Sequence, residues 1–255
     1  MVRAYLDCGR YFAYRYIRKL PAVLDGRMLA GRVYDHGVSY ALKRKISADF
    51  TTVGEVKDIM SDRWEYELKE QIDYDDDSIK LVAKQINWGD DDPGHLKDIV
   101  LKLGALYVET ILPKLQPLAV QERLEGVIGG VPFVGYPDVI VGNSLDDLGV
   151  GIIDHKFTTR RATQEAANKD MQFSSYASLL KRPVWAAWHQ ALDQKKPSIN
   201  VVVTERKQGD MDWFGCLVAE VWRGIQAGVF PPNPLTWRCG EKCPYQMECR
   251  ILCEY

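Results

Sequence analysis

Over the first half of the chain apolar side chains recur every three to four residues, the period of helices that bury one face. This spacing predicts a helix over 2–19, rich in aromatic and basic side chains (Tyr5, Tyr11, Phe12, Tyr14, Arg15, Tyr16, Arg18, Lys19) and ended by Pro21. A second helix is expected from about Met28 to Ile46, closing on Lys43-Arg44-Lys45 and containing His36. From Thr51 to Leu115 the pattern stays helical, broken by acidic runs at Asp73 with Asp75–Asp77 and at Asp90–Asp92. Consecutive like charges cannot all face one ion, so these runs read as solvated loops rather than a metal site. Pro93-Gly94 opens the most regular helix, with Leu96, Ile99, Val100, Leu103, Leu106, Tyr107 and Ile111 on its apolar side.

After Pro117 the pattern changes to strands: Leu118–Val127, a Gly129-Gly130 turn, Pro132–Val141 and Val150–Thr158, expected as a three-stranded antiparallel meander. Helical spacing returns over Gln164–Leu180. An apolar segment, Trp185-Ala-Ala-Trp188, follows; then come a short strand, Ser198–Thr204, and a helix, Met211–Val229. With no repeat and no linker, the expectation is one α/β domain over 1–255. Its parts are N-terminal helices at 1–50, a helical insertion at 51–115, a core at 116–205, and a C-terminal helix with a cysteine segment at 206–255.

The composition, 46% hydrophobic and 27% charged over 255 residues, is that of an ordinary water-soluble chain. A net charge of −2 exerts no global pull on a polyanion, so a nucleic-acid partner would need a local basic groove. Charges among the first ten residues interrupt any signal-peptide run, and no apolar stretch reaches membrane length, so a cytoplasmic protein with no membrane partner is expected. Six cysteines in that compartment argue against a disulfide framework. Four of them, Cys239, Cys243, Cys249 and Cys253, fall in the last seventeen residues.

The chemistry centres on Gly135–Lys156. Two β-branched runs around a turn at 142–147 suggest a hairpin, with Asp138 on its first strand. Strand alternation points Asp154 and Lys156 one way and His155 the other. Paired carboxylates suit Mg²⁺ or Mn²⁺, which lowers the pKa of a bound water, and a nearby ammonium offsets charge on a phosphate. Alone, an Asp-x-Lys is a common surface pair.

Gly135-Tyr-Pro-Asp138 followed by Ile153-Asp154-His-Lys156 resembles the signature of the PD-(D/E)XK nuclease superfamily. Gln172-Phe-Ser-Ser-Tyr176 is similar to the Gln-x-x-x-Tyr motif of its RecB-type branch, which includes CRISPR-adaptation exonucleases. The resemblance implies a restriction-endonuclease-like mixed sheet flanked by helices, and a metal-dependent DNA exonuclease acting on single strands or duplex ends. It implies Asp138, Asp154, Lys156, Gln172 and Tyr176 as catalytic residues, and it adds His36 and the His155 carbonyl to Asp138 and Asp154 in the metal shell. Glu122 is an accessory acid, Arg160, Arg161 and Lys169 are the nearest basic contacts, and recombination or CRISPR-adaptation proteins are the implied partners. The alternative function is a nucleic-acid-binding assembly factor that keeps the fold for end recognition.

Cys239-Gly-Glu-Lys-Cys243-Pro-Tyr-Gln-Met-Glu-Cys249 resembles the C-terminal segment of iron-sulfur RecB-type nucleases, and Tyr5-Leu6-Asp7-Cys8-Gly-Arg-Tyr11-Phe12 resembles their N-terminal cysteine context. The implied cofactor is a [4Fe-4S] cluster on Cys8, Cys239, Cys243 and Cys249, joining the two ends of the chain. Cys253 in place of Cys8 would make a local four-cysteine site open to Zn²⁺. Cys216, among Trp213, Phe214, Leu217 and Val218, reads as a core residue.

Overall fold

The structure is a computed structural model that describes residues 1–70, 86–142, 149–240 and 243–251. The acidic run Asp73 with Asp75–Asp77, the turn at 143–148 and Cys253 lie outside the described residues.

The predicted first helix is divided. Helices α1 (Val2–Asp7) and α2 (Gly9–Phe12) are separated by Cys8 in an extended conformation, and a single π-helical turn, Ala13–Ile17, follows. Helix α3 (Gly26–Ile46) starts where the Asp25 side chain accepts the Arg27 backbone N–H. After α4 (Val53–Glu70), helix α5 (Pro93–Thr110) is capped by Asp92, which accepts the His95 N–H, while Asp91 pairs with Arg27. The Asp90–Asp92 run is thus largely structural.

Five strands form one sheet in the order β1 (Pro117–Val120), β4 (Val139–Val141), β5 (Gly151–Thr158), β6 (Val184–Leu192), β7 (Ser198–Arg206). Strands β5 and β6 are parallel and the other neighbours antiparallel, which makes the sheet mixed. Each of the two long strands expected over 118–127 and 132–141 is split, because β2 (Leu124–Ile128) and β3 (Val131–Gly135) leave the sheet as a separate hairpin. Its turn needs positive φ at Gly129 and Gly130, and a side chain at Gly129 would collide with the Gly215 carbonyl. The inner face of the hairpin, Ile128 and Val131, finds its apolar partners in Leu179, Phe214, Val218 and Val221 rather than in the sheet.

The helix expected over 164–180 is also two, α6 (Gln164–Asn168) and α7 (Met171–Leu180), each with its own cap, Thr163 and Asp170. The Trp185–Trp188 segment lies in β6, whose nine residues are all buried. A strand covered on both faces has no polar alternation to mark it. Helix α8 (Gln208–Gln226) buries Met211, Phe214, Val218 and Val221 and leaves Cys216 exposed, so the core position expected for Cys216 is corrected: it falls off that stripe.

Helices α3, α4 and α5 cover one face of the sheet, packing Leu29, Val33, Met60 and Leu103 against Val139, Val141, Ile153 and Ala187. On the other face α6 and α7 pack Ala167, Phe173, Tyr176 and Ala177 against Ile152, Ala186 and Trp188. Each buried Val, Leu or Phe contributes about 1.5–3 kcal/mol. The two layers therefore pin the register of β5, since a slip by one residue would exchange Ile152 with Ile153 and every polar side chain beyond them.

The chain ends meet through protein–protein hydrogen bonds. Tyr5 donates to the Val229 carbonyl (2.7 Å), Asn233 to Asp7 (2.9 Å), Tyr14 to Glu248 (3.2 Å) in the last helix, α9 (Gln246–Ile251), and Tyr245 to Leu20 (3.1 Å). Among the described residues no helix is long and apolar enough to cross a membrane.

Candidate active site

Strand β5 distributes its polar residues between the two layers. Asp154, in phase with Ile152, faces α7, where its Oδ1 accepts the Gln172 amide at 2.7 Å and its Oδ2 meets the Lys156 ammonium at 2.5 Å. Against the burial that raises the Asp154 pKa, the charge and the hydrogen bond of Lys156 both pull it down, and this buried oxygen has no other donor among the described residues. Asp170 caps α7 just ahead of Gln172, and Tyr176 stands one turn further on the same face. The Gln172 amide also donates to the Tyr176 hydroxyl (2.9 Å), which donates to the Tyr136 carbonyl (2.9 Å). Helix α7 is thereby tied to the loop that carries Asp138.

The hairpin reading places Asp138 on a strand; it sits instead in the bend between β3 and β4. The preceding Tyr136-Pro137 has left the ladder, and this frees Asp138 to turn its Oδ2 onto the His155 backbone N–H (2.7 Å).

His155, in phase with Ile153, points the other way, as alternation requires. Its Nδ1 lies 3.2 Å from Asp35 Oδ1, and Asp35 Oδ2 accepts the Gln121 amide at 2.7 Å. Ligand atoms of Asp35, Asp138 and His155 all lie within 4.8 Å of one another. His155 Nε2 is 3.1 Å from the Tyr107 hydroxyl, itself 3.1 Å from His189 Nδ1.

His36 is not in this group. It is exposed on α3, and partial burial followed by the Arg63 charge lowers its pKa. The α3 residue that reaches the centre is its neighbour Asp35. Successive helix positions are about 100° apart, and buried Leu29, Val33, Tyr34, Gly37 and Val38 leave Asp35 and His36 at opposite borders of the apolar stripe. Residue pattern alone cannot choose between the two borders. Gln121, Tyr107 and His189 were likewise missed, because their partners are distant in sequence.

Electrostatically the centre is short of positive charge. Burial, and next the Asp154 charge, push Asp138 up to about 7. Burial also raises Asp154, against the pull of Lys156. For Lys156 burial works against the ammonium, but Asp154 and then Asp138 more than offset it and raise its pKa. Asp35 and Asp138 oxygens stand within reach of one ion together with a His155 ring nitrogen, and the Asp154 charge acts on Asp138 from close by, a carboxylate-rich setting that fits a hard divalent cation. Glu122, Arg160 and Arg161 are exposed, and Lys169 pairs with Glu165 on the surface.

Cys8, Cys239, Cys243 and Cys249 line a single cavity of about 170 Å³, walled by Tyr11, Tyr14 and Tyr245. Burial raises the Cys243 thiol, and the nearby Cys8 and Cys239 add to the shift. The break in the helix at Cys8 brings that residue to the cavity.

Among curated proteins none matches the chain. A crystal structure of a "Putative exonuclease" from Eubacterium rectale is similar at a TM-score of 0.49 and 12% identity, covering 93% of this chain and 85% of that one. Residues 1–250 match the profile of the PD-(D/E)XK nuclease superfamily. The chain belongs to the PD-(D/E)XK nuclease superfamily.

Proposed function

We propose that the protein is a divalent-metal-dependent DNA exonuclease that hydrolyses phosphodiesters at single strands or duplex ends. The observation that carries this reading is the grouping of Asp35, Asp138 and His155 beside the Asp154–Lys156 ion pair, with Asp138 raised to about 7 by burial and next by the Asp154 charge. Asp35, Asp138, Asp154 and the His155 carbonyl hold the metal; His36, by its placement, is the weakest of the ligands the sequence suggests. Mg²⁺ or Mn²⁺, when bound, supplies a Lewis acid and a water of lowered pKa.

Lys156 keeps its proton at neutral pH and places a fixed positive charge where charge grows on the phosphate. Gln172 fixes Asp154 and offers its carbonyl to Lys156 at a long 3.5 Å, so the two motif halves move together. Tyr176 anchors Gln172 to the loop of Asp138 and acts through it. Arg160 and Arg161, exposed just beyond the end of β5, are cations for the DNA backbone.

The cysteine cavity is the proposed seat of a [4Fe-4S] cluster, supported by four thiols from both chain ends around one space. Thiolates are the soft ligands iron requires, and a cluster there reinforces the direct contacts between the termini.

The test is cleavage of labelled single- and double-stranded DNA, with RNA alongside, by purified protein in Mg²⁺, Mn²⁺ or EDTA. Metal-dependent release of short products from ends, lost in Asp154→Ala and Lys156→Ala, supports the reading. DNA binding without cleavage in any metal would favour the assembly-factor alternative instead.

A further inference from the structure

We infer that Gln121 and the buried series His155, Tyr107, His189 form a two-sided clamp on the Asp35 carboxylate, making Gln121, Tyr107 and His189 positioning residues of the hydrolytic centre. The inference rests on the reading of Asp35 as part of the metal cradle.

Gln121 lies between β1 and β2 with φ +54, a left-handed backbone conformation uncommon for a non-glycine residue. Two contacts depend on that conformation. The Gln121 backbone N–H donates to the Asp138 carbonyl at 3.0 Å, and its side-chain amide donates to Asp35 Oδ2 at 2.7 Å. One exposed residue therefore ties the α3 carboxylate to the backbone of the β3–β4 bend. These are the two acids whose relative placement defines the cradle.

The second jaw is buried. A carboxylate only accepts, so His155 Nδ1 carries the proton in its contact with Asp35 Oδ1. In that tautomer Nε2 is the accepting nitrogen, so the Tyr107 hydroxyl donates to it and in turn accepts from His189 Nδ1–H. Tyr107 is fully buried and His189 is 4% exposed, so no water competes for these positions. The series runs away from the surface into the α5–sheet core, and it gives the His155 ring one orientation and one tautomer. Each Asp35 oxygen thus accepts one donor, one from the β1–β2 connection and one from β5, and keeps further lone pairs for a ligand.

The experiment is calorimetric titration of Mn²⁺ into the purified full-length chain, read with the thermal midpoint and the ¹⁵N chemical shifts of the His155 ring. Gln121→Leu is the leading variant: the site is exposed, and leucine is no more strained than glutamine at positive φ. Supporting contacts of this kind typically change metal affinity about 10–100-fold. The expected result for Gln121→Leu is at least a tenfold weaker Mn²⁺ affinity with an unchanged midpoint. Tyr107→Phe and His189→Gln should weaken Mn²⁺ similarly and mix the His155 tautomers, whatever they do to the midpoint. Normal Mn²⁺ affinity in Gln121→Leu and Tyr107→Phe, with binding lost in Asp35→Asn, overturns the clamp and leaves the metal cradle standing. Normal affinity in Asp35→Asn overturns both.

Discussion

Asp138→Asn should stabilise the metal-free protein at neutral and alkaline pH. Burial, reinforced by the Asp154 charge, lifts the folded-state pKa of Asp138 to about 7 from 3.8. Between those values the folded chain holds a proton that the unfolded chain has released, so this group's contribution to stability is complete below about pH 4, falls as pH rises, and is gone above about 7. At 1.36 kcal/mol per unit, a shift of about three units corresponds to about 4 kcal/mol. Because Asp138 and Asp154 titrate as a pair, about 2–4 kcal/mol is the range to look for. Asparagine keeps an acceptor for the His155 N–H and removes the charge. Urea unfolding in EDTA at pH 5 and pH 8 measures the effect. The wild type should lose stability between the two, whereas the variant should hold level and exceed it at pH 8. Adding Mn²⁺ should reverse the order, since a ligand stabilises only the form that binds it. Equal stability of the two proteins at pH 8 in EDTA would refute the claim that the centre is strained by its own negative charge.

Lys156→Met should lower kcat about 10²–10³-fold, the usual effect of removing one group that stabilises transition-state charge, without weakening Mn²⁺, because the ammonium competes with the cation for Asp154. His189, held neutral by burial with a pKa of about 3, should make the protein acid-labile. Its contribution is complete above the unfolded value of 6.5 and lost as pH falls, about 2 kcal/mol by pH 5, so the pH slope of urea unfolding between 6.5 and 5 should flatten in His189→Asn. Anaerobically purified protein should contain iron and acid-labile sulfide with visible absorbance that Cys8→Ser and Cys239→Ser remove and Cys216→Ser does not; a colourless, zinc-loaded protein would refute the cluster. Arg206→Met should cost about 3 kcal/mol or more in chemical denaturation, since it strips the guanidinium from the Ala167, Asp170 and Glu205 carbonyls and leaves them buried without their donor.

Asp154, Lys156, Gln172 and Tyr176 are singled out by the family resemblance, and local period, two along a strand and four along a helix, puts each pair on one face. Their contacts across 16 and 18 residues follow once β5 and α7 pack. Asp35 is not legible that way, since the same stripe presents it and His36 as equivalent borders. Position in the site is decided by which side of α3 the β1–β2 connection crosses. The divided strands were hidden for a related reason: Leu124–Ile128 alternates as well as Pro117–Val120 does, and only the apolar surface of α7 and α8 draws the hairpin off the sheet. Strand β6 was hidden by its own burial, which erases the polar half of the alternation.

The placement of the centre follows from a single strand that serves two cores. Asp154 answers to the layer of Phe173 and Trp188 through Gln172, and His155 answers to the layer of Tyr34 and Tyr107 through Asp35. Asp138 touches both, through the His155 backbone and through the Asp154 charge. A displacement of either helical layer therefore moves one carboxylate relative to the other two, and the proposed cation would sense that movement. Loosening either core, for instance by Phe173→Leu or Leu103→Ala, should therefore weaken Mn²⁺ binding in calorimetric titration under conditions where the chain stays folded.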